Sequence, residues 1–378
     1  MRTRLLFLAI LVFLASCDQP QNLQDRLDVY AAMIEKNPKN AQAHYQLGTT
    51  LLVAEFYNEG VDHLKDAVRL DNKLQAAHRN LGWALYHLKE YREAEKWLSK
   101  AHALNPNDPE TVADLSGVYL AMGKRLETLQ LLKSAIQRGL ESVEIYSNLA
   151  VTYKELGEFA PAQKYLNRAL RLNADSAATH NNLGILYELL AVAEQSDREY
   201  RTALDLDPQY VPAHYNRGAA LARSQQYSLA LEHFLKANRV APGDIPTLAG
   251  LGLVYQKLDN REQAIRHYRE FVRLNPSDPI ILQALGKLLE EAGQFQQAVE
   301  PYEMAKHLLP RTAEIYYRLG LIHDQLKNGK RALFHMSVAD RLYRQQKNVG
   351  MAGHSQRNVD LIMKKYRLSR RDIKNLGR

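Results

Sequence analysis

The sequence predicts an all-α solenoid of nine helical hairpins running without interruption from Ala41 to Gln346, and three observations carry the prediction. A 34-residue period starting at Ala41, Gln75, Pro109, Val143, Ala177, Val211, Ile245, Pro279 and Ala313 aligns the chain with no insertion or deletion. Two offsets within that period, 8 and 20, hold a small residue in every unit. Apolar residues then recur three and four apart, the spacing of one helical face rather than the alternation of a strand.

A short leading helix precedes the units. Residues Leu23 to Lys36 place Arg26, Tyr30 and Met33 at offsets 20, 24 and 27 of a truncated unit, with Pro38 at offset 32. This predicts a lone second helix that caps the front of the stack, because the end units of a solenoid lack a neighbour to cover them. In each full unit the first helix carries leucine at offset 7, from Leu47 to Leu319, with Arg217 the exception. Offset 8 is Gly, Ser or Ala, as at Gly82, Ser116 and Ala150. A turn such as Met122, Gly123, Lys124 or Leu156, Gly157, Glu158 follows.

The second helix has a small residue at offset 20 and a large one at offset 24, from Leu64 to Met336. Small residues on facing helices permit close approach, and large ones fill the space beside them. Pro106, Pro208, Pro242, Pro276 and Pro310 end that helix, since proline lacks an amide hydrogen and clashes with the preceding turn. Asn72, Leu140, Ala174 and Arg344 take that place in four units. Arg217 is expected to snorkel its charge outward, and Phe271, standing for alanine at offset 27, to widen the helix spacing. At the rear, Val359, Ile362, Met363 and Tyr366 form a helical stripe suited to covering the ninth unit.

The ends of the chain carry different information. Residues 1–16 have Arg2 and Arg4, a ten-residue apolar run from Leu5 to Leu14, then Ala15 and Ser16 before the single cysteine, Cys17. The run is about half the ~20 residues a spanning helix needs, so it reads as a signal peptide. Leu14 to Cys17 resembles the lipobox of bacterial lipoproteins, which implies acyl chains on Cys17 and membrane attachment. Residues 17–40 then serve as anchor linker and capping helix. Asp18 resembles an inner-membrane retention signal, which favours the periplasmic face of that membrane, with the outer membrane as the other destination. A lone cysteine forms no intramolecular disulfide, so packing alone stabilises the chain. Of the formal charge of +8, the tail carries +7: residues 347–378 hold nine Lys or Arg against Asp360 and Asp372, while Arg2 and Arg4 leave with the signal peptide and the body is nearly neutral.

The repeating offsets resemble the tetratricopeptide repeat family over 306 of 378 residues. The resemblance implies a right-handed superhelical solenoid with N- and C-terminal capping helices, and a concave face lined by offsets 2, 5, 6, 9, 12 and 13 of each first helix. Offset 6 reads Gln46, Asn80, Asp114, Asn148, Asn182 and Asn216 through six units. An amide offers both donor and acceptor, so such a ladder can pair with a peptide backbone. It is similar to the asparagine ladder in the repeat region of O-linked N-acetylglucosamine transferases. Tyr45, Trp83, Tyr86, Tyr215 and Tyr317 add aromatic contact area on the same face, with Arg79 and His87 beside Trp83. The three-unit carboxylate clamp known in the family does not fit, because Tyr45, Thr49, Asn80, Glu110 and Asp114 stand at its positions.

The sequence shows no catalytic motif: no H-E-x-x-H, Gly-rich phosphate loop or G-x-S-x-G occurs. His44, His78, His180 and His214 share offset 4, but neighbouring units lie roughly 10 Å apart, so these histidines read as packing residues and no metal or cofactor is expected. Lys364, Lys365, Arg367, Arg370, Arg371 and Lys374 are the candidate contacts to anionic lipid, and export argues against nucleic acid. The reading is a non-catalytic, lipid-anchored envelope adaptor that binds a protein or extended peptide. The alternatives are a substrate-recognition subunit working with a separate glycosyltransferase chain, and a cytoplasmic scaffold.

Overall fold

The computed structural model describes residues 20–369 and 371–372. Among these residues there are twenty helices and no strand, and consecutive helices pack on one another from Pro20 to Leu189 and again from Val211 to Tyr366. The leading helix α1 (Pro20–Lys36) precedes the hairpins α2/α3 (Ala41–Val53, Tyr57–Leu70), α4/α5 (Gln75–His87, Tyr91–Leu104) and α6/α7 (Pro109–Ala121, Arg125–Gln137). Next come α8/α9 (Val143–Glu155, Phe159–Leu172) and α10/α11 (Ala177–Leu189, Ala193–Leu206). Then follow α12/α13 (Val211–Arg223, Tyr227–Val240), α14/α15 (Ile245–Lys257, Arg261–Leu274) and α16/α17 (Pro279–Glu291, Phe295–Leu308). The series ends with α18/α19 (Ala313–Gln325, Gly329–Gln345) and α20 (Val349–Tyr366). Two compact units divide between Ser196 and Asp197, inside α11.

The small offsets mark points of helix contact. A Cβ on Gly48 would lie 3.0 Å from the Gly60 carbonyl and 2.8 Å from Leu64 Cγ, and one on Gly82 would lie 2.5 Å from Leu98 Cγ. Offset 24 of the second helix therefore fills the notch that offset 8 leaves. Side chains cap six of the first helices: Asn40, Asp108, Ser142, Ser176, Asp244 and Asp278 each accept a first-turn amide. The second helices ending at Leu104, Leu206, Val240, Leu274 and Leu308 each stop two residues before a proline. Where Arg344 replaces that proline, α19 continues to Gln345.

The turn inside each hairpin is a left-handed residue that ends the first helix. Glycine occupies it at Gly123, Gly157 and Gly293, whereas Glu55, Lys89, Ala191, Gln225, Asp259 and Lys327 adopt φ between 55 and 63° there. The hydrogen bonds that close the turn, such as Val192 N to Tyr187 O at 2.9 Å, hold these residues in place.

Two sequence expectations need correction. Leu27, Tyr30 and Ile34 of α1 pack on Leu47 and Leu51, while Arg26 and Met33 are exposed. The all-apolar stripe wins because burying a guanidinium without a partner is costly. Arg217 does not snorkel to solvent: its Nε donates to Asp197 Oδ1 at 2.8 Å with its side chain mostly covered. Phe271 itself is buried, 3 % exposed. At the far end, α20 lies on the ninth hairpin through Val359, Ile362, Met363 and Tyr366 against Ala332, Leu333 and Met336. The Tyr366 ring rests on Gly329, where a Cβ would meet Tyr366 Cγ at 2.2 Å, and the Tyr366 hydroxyl donates to the Asp324 carbonyl at 3.0 Å.

Candidate peptide-binding groove

In the first compact unit, the first helices α4, α6, α8 and α10 together line an open groove of about 350 Å³. Trp83 and Tyr86 of α4 form one wall, with Leu98 beneath. Asp114 and Gly117 of α6 come next, followed by Glu144, Ser147 and Asn148 of α8, and Ala178 and Asn182 of α10. Apart from Leu98, and from Val143 and Ser176 at the helix starts, the lining residues stand at offsets 2, 5, 6, 9 and 12, so one set of helical positions supplies most of the surface. Gly117 shares offset 9 with Trp83, and a Cβ placed on it meets nothing within 4 Å. The groove thus has an aromatic wall beside an open notch.

The aromatic wall is a packed cluster. The Trp83 and His87 rings lie 4.0 Å apart, Trp83 and Tyr57 6.1 Å apart, and Tyr86 meets His87 edge-on at 5.5 Å and Tyr91 at 5.7 Å. Trp83 is half-buried, fixed from behind, whereas Tyr86 is 36 % exposed. A side chain already held in one rotamer loses little entropy on binding, which favours it as an anchor. Burial lowers the His87 pKa and raises that of Tyr86, so both rings are uncharged near neutral pH.

The polar groups divide into spent and open ones. Arg79 Nε donates to Asp114 Oδ2 at 2.8 Å and its guanidinium also pairs with Glu110. The acids that stand in the clamp positions are thereby neutralised in part, although burial still raises the Asp114 pKa against the pull of Arg79. Asn80 Nδ2 donates to Thr49 Oγ1 at 3.2 Å. Asn148 Nδ2 donates to Ala113 O at 3.2 Å and Ser116 Oγ at 2.8 Å. In these two units the amide nitrogens stitch adjacent hairpins, and among the described residues no hydrogen bond engages the Asn148 side-chain oxygen. Asn182 makes no side-chain hydrogen bond and Glu144 no ion pair among the described residues.

The remaining candidates lie elsewhere. Tyr45 packs on the core of the first hairpins, and the backbone carbonyls of Tyr45 and Gln46 accept from Thr49 and Thr50 at 2.8 and 2.7 Å. Tyr215, Asn216 and Tyr317 belong to the second compact unit. Tyr215 leans on Phe234 at 5.9 Å. Tyr317 is half-buried under α20, its hydroxyl accepting from Asn358 Nδ2 at 3.3 Å. Lys365 pairs with Asp324 at 2.8 Å, which docks α20 onto α18. Lys364, Arg367 and Arg371 are exposed. Cys17, Arg370 and Lys374 lie outside the described residues.

The offset-4 histidines have a shared structural task that the sequence did not reveal. Nε2 of His44, His78, His180 and His214 reaches the carbonyl oxygen six residues earlier, at Pro38, Asn72, Ala174 and Pro208, over 3.0 to 3.1 Å. Tyr316 does the same to Pro310 at 3.2 Å. Each ring staples the loop that connects two hairpins. Sequence reasoning also missed Gly117, Glu144, Ser147 and Ala178, because attention to amides and aromatics passed over small and acidic residues at the same offsets.

Residues 21–214 match the family model described as Cilia and flagella-associated protein 70 C-terminal domain, and residues 193–245 and 250–310 match the tetratricopeptide repeat model. The chain belongs to the tetratricopeptide repeat family. Tetratricopeptide repeats bind protein or peptide partners through surfaces formed by stacked units. The chain is 26 % identical over 116 residues to tetratricopeptide repeat-containing protein trd-1 of Caenorhabditis elegans, a match covering 30 % of this chain and only 15 % of that protein. Among solved structures, PilF of Pseudomonas aeruginosa aligns at TM-score 0.48 and 21 % identity, covering 57 % of this chain and 96 % of its own. YrrB, described as having an unusual peptide-binding site, aligns at 0.47 and 23 %, covering 51 % and 97 %. The pilus biogenesis factor PilW aligns at 0.45 and 18 %, covering 56 % and 97 %. Among the described residues no helix is long and apolar enough to cross a membrane.

Proposed function

We propose that this tetratricopeptide repeat protein is a non-catalytic adaptor that binds an extended segment of a partner protein across α4, α6, α8 and α10. The observation that carries the reading is the pairing, within one groove, of a fixed aromatic wall at Trp83 and Tyr86 with uncommitted polar groups on Asn182, Glu144 and the Asn148 carbonyl. An extended strand offers alternating amides and carbonyls, which such groups can meet while an apolar or aromatic side chain sits against Trp83. Acylation of Cys17 would hold the adaptor on a membrane of the bacterial envelope, since several acyl chains each contribute ~0.8 kcal/mol per buried CH2. The sequence from Arg2 to Cys17 supports that placement.

Crosslinking in intact cells followed by affinity recovery tests the groove. Wild type is expected to retain partners that a Trp83→Ala, Asn182→Ala double variant loses by roughly tenfold or more, as removal of a buried aromatic anchor commonly costs above 1–2 kcal/mol. Equal recovery by two equally well-folded proteins would reject the groove. Metabolic labelling with a fatty-acid probe tests the anchor separately: Cys17→Ser should abolish the label, and an unchanged label would exclude lipidation at that residue.

A further inference from the structure

The last two hairpins depart from their own repeat at positions that meet in space. Offset 11 is leucine or tyrosine in the first eight hairpins, from Leu51 through Tyr255 to Leu289, and becomes His323 only in the ninth. Offset 25 carries a carboxylate only in the eighth, at Glu303; the other units have Lys, Ser, Asn, Arg or Leu there. His335 stands at offset 23 of the ninth. Glu303 on α17, His323 on α18 and His335 on α19 each bring one ligand-capable atom to within 4.8 Å of the other two, the one such trio among the described residues. His335 Nε2 is 3.5 Å from Glu303 Oε1.

Burial without partners makes this more than a coincidence of residue types. His323 and His335 are 3 % and 4 % exposed. Neither ring nitrogen of His323 has a hydrogen-bond partner, and His335 Nδ1 has none. Leucine or tyrosine, as found at offset 11 in the other hairpins, would fill the His323 site without stranding two nitrogens.

We propose that Glu303, His323 and His335 form a binding site for a divalent transition-metal ion of the zinc type. Two imidazoles and one carboxylate are a three-protein-ligand set for zinc that leaves a fourth position for water or another ligand. The unpartnered nitrogens of His323 and His335 leave lone pairs that neutral imidazoles can donate to a metal. Glu303 Oε1 faces His335 while Oε2 pairs with Lys306, so coordination through Oε1 leaves that ion pair in place. Glu303 remains partly exposed and provides the entry side. Lys306 and Arg331, which face the histidines, oppose a dication and moderate its affinity. Bound there, the ion ties three successive helices together and links the eighth hairpin to the ninth.

Zinc titration of the metal-stripped full chain against a chromophoric chelator tests the site, with cobalt(II) absorption reporting four-coordinate ligation. Wild type is expected to take one zinc ion that raises its thermal midpoint. His323→Leu restores the residue type of the other hairpins and should fold, yet bind that ion at least ~100-fold more weakly, and Glu303→Gln, nearly isosteric, should weaken it by ~10-fold or more. Absence of a one-to-one zinc event in wild type, or unchanged affinity in both variants, would overturn the assignment and leave only adventitious binding to surface histidines.

Discussion

Two helical glycines, Gly117 in α6 and Gly252 in α14, should respond oppositely to the same substitution. Alanine in place of glycine inside a helix gains about 1 kcal/mol from lower backbone entropy in the unfolded chain. At Gly117 the new Cβ meets nothing within 4 Å, so Gly117→Ala should keep nearly all of that gain. At Gly252 the Cβ would lie 2.3 and 2.4 Å from Tyr268 Cε1 and Cδ1. The Tyr268 ring is 2 % exposed and packs with Leu282 and Leu285, so it cannot withdraw without moving its neighbours. Overpacking of this kind costs about 1–3 kcal/mol, and contact this deep belongs at the upper end. Subtracting the propensity gain leaves Gly252→Ala destabilised by roughly 1–2 kcal/mol. Urea unfolding followed by helical circular dichroism measures both. Because repeat arrays can unfold in stages, each variant is compared through the transition of the compact unit that contains it. A Gly252→Ala protein as stable as wild type, or a destabilised Gly117→Ala, would refute the assignment of offset 8 as a contact position and offset 9 as an open one.

Other perturbations probe the turns and the buried charges. Ala191 holds φ 57° at a helix end, so Ala191→Gly should raise stability by about 1 kcal/mol in the same assay; no gain would mean that the strain is absent. His233 pairs with His214 at 3.0 Å, and burial lowers its pKa to about 4, with Arg217 and His214 adding to the effect. The unfolded chain binds a proton near pH 6.5 that the folded chain refuses until about 4. Stability from this site is therefore complete above about pH 6.5 and falls as pH drops through that window, by at most ~3 kcal/mol at pH 4. A His233→Leu variant should lose that share of the pH dependence, and an unchanged pH–stability curve would count against it. Arg217→Leu restores the leucine of the other units and leaves Asp197 paired with Arg201 at 2.8 Å. It should be neutral or stabilising by ~1–2 kcal/mol and should move the His233 titration upward in an NMR pH series; an unmoved titration would show that Arg217 does not act on His233.

Much of the architecture was readable residue by residue because each hairpin repeats the same short-range problem. Gly82 against Leu98 and Gly252 against Tyr268 are solutions to one close approach, and a pattern repeated through the array stands out against ordinary variation. Pro276 and Pro310 announce helix ends by a local backbone constraint. The leading helix was misread because it lacks this redundancy: a truncated unit was fitted to the offsets of the full ones, and the energetic cost of burying Arg26 selected Leu27, Tyr30 and Ile34. The groove was readable as a set of offsets and not as a set of residues. Asn148 shows why, since offset 6 lines the groove and is also within reach of Ser116 on the preceding hairpin, where its amide hydrogens are used.

The sequence alone therefore determined the all-helical repeat, its period and the positions where helices touch, since these follow from side-chain size and backbone geometry within some thirty residues. Only the tertiary structure decided which polar groups are already satisfied and which are not. Lys365 was one cation among many in the tail until the packing of α20 set it against Asp324. Tyr317 had the offset of a groove residue until the same helix covered it. Glu303, His323 and His335 looked unrelated along the chain and meet only because three helices pack side by side. Hydrogen bonding and ligation depend on ångström distances between residues far apart in sequence, and the packing of the helices sets those distances.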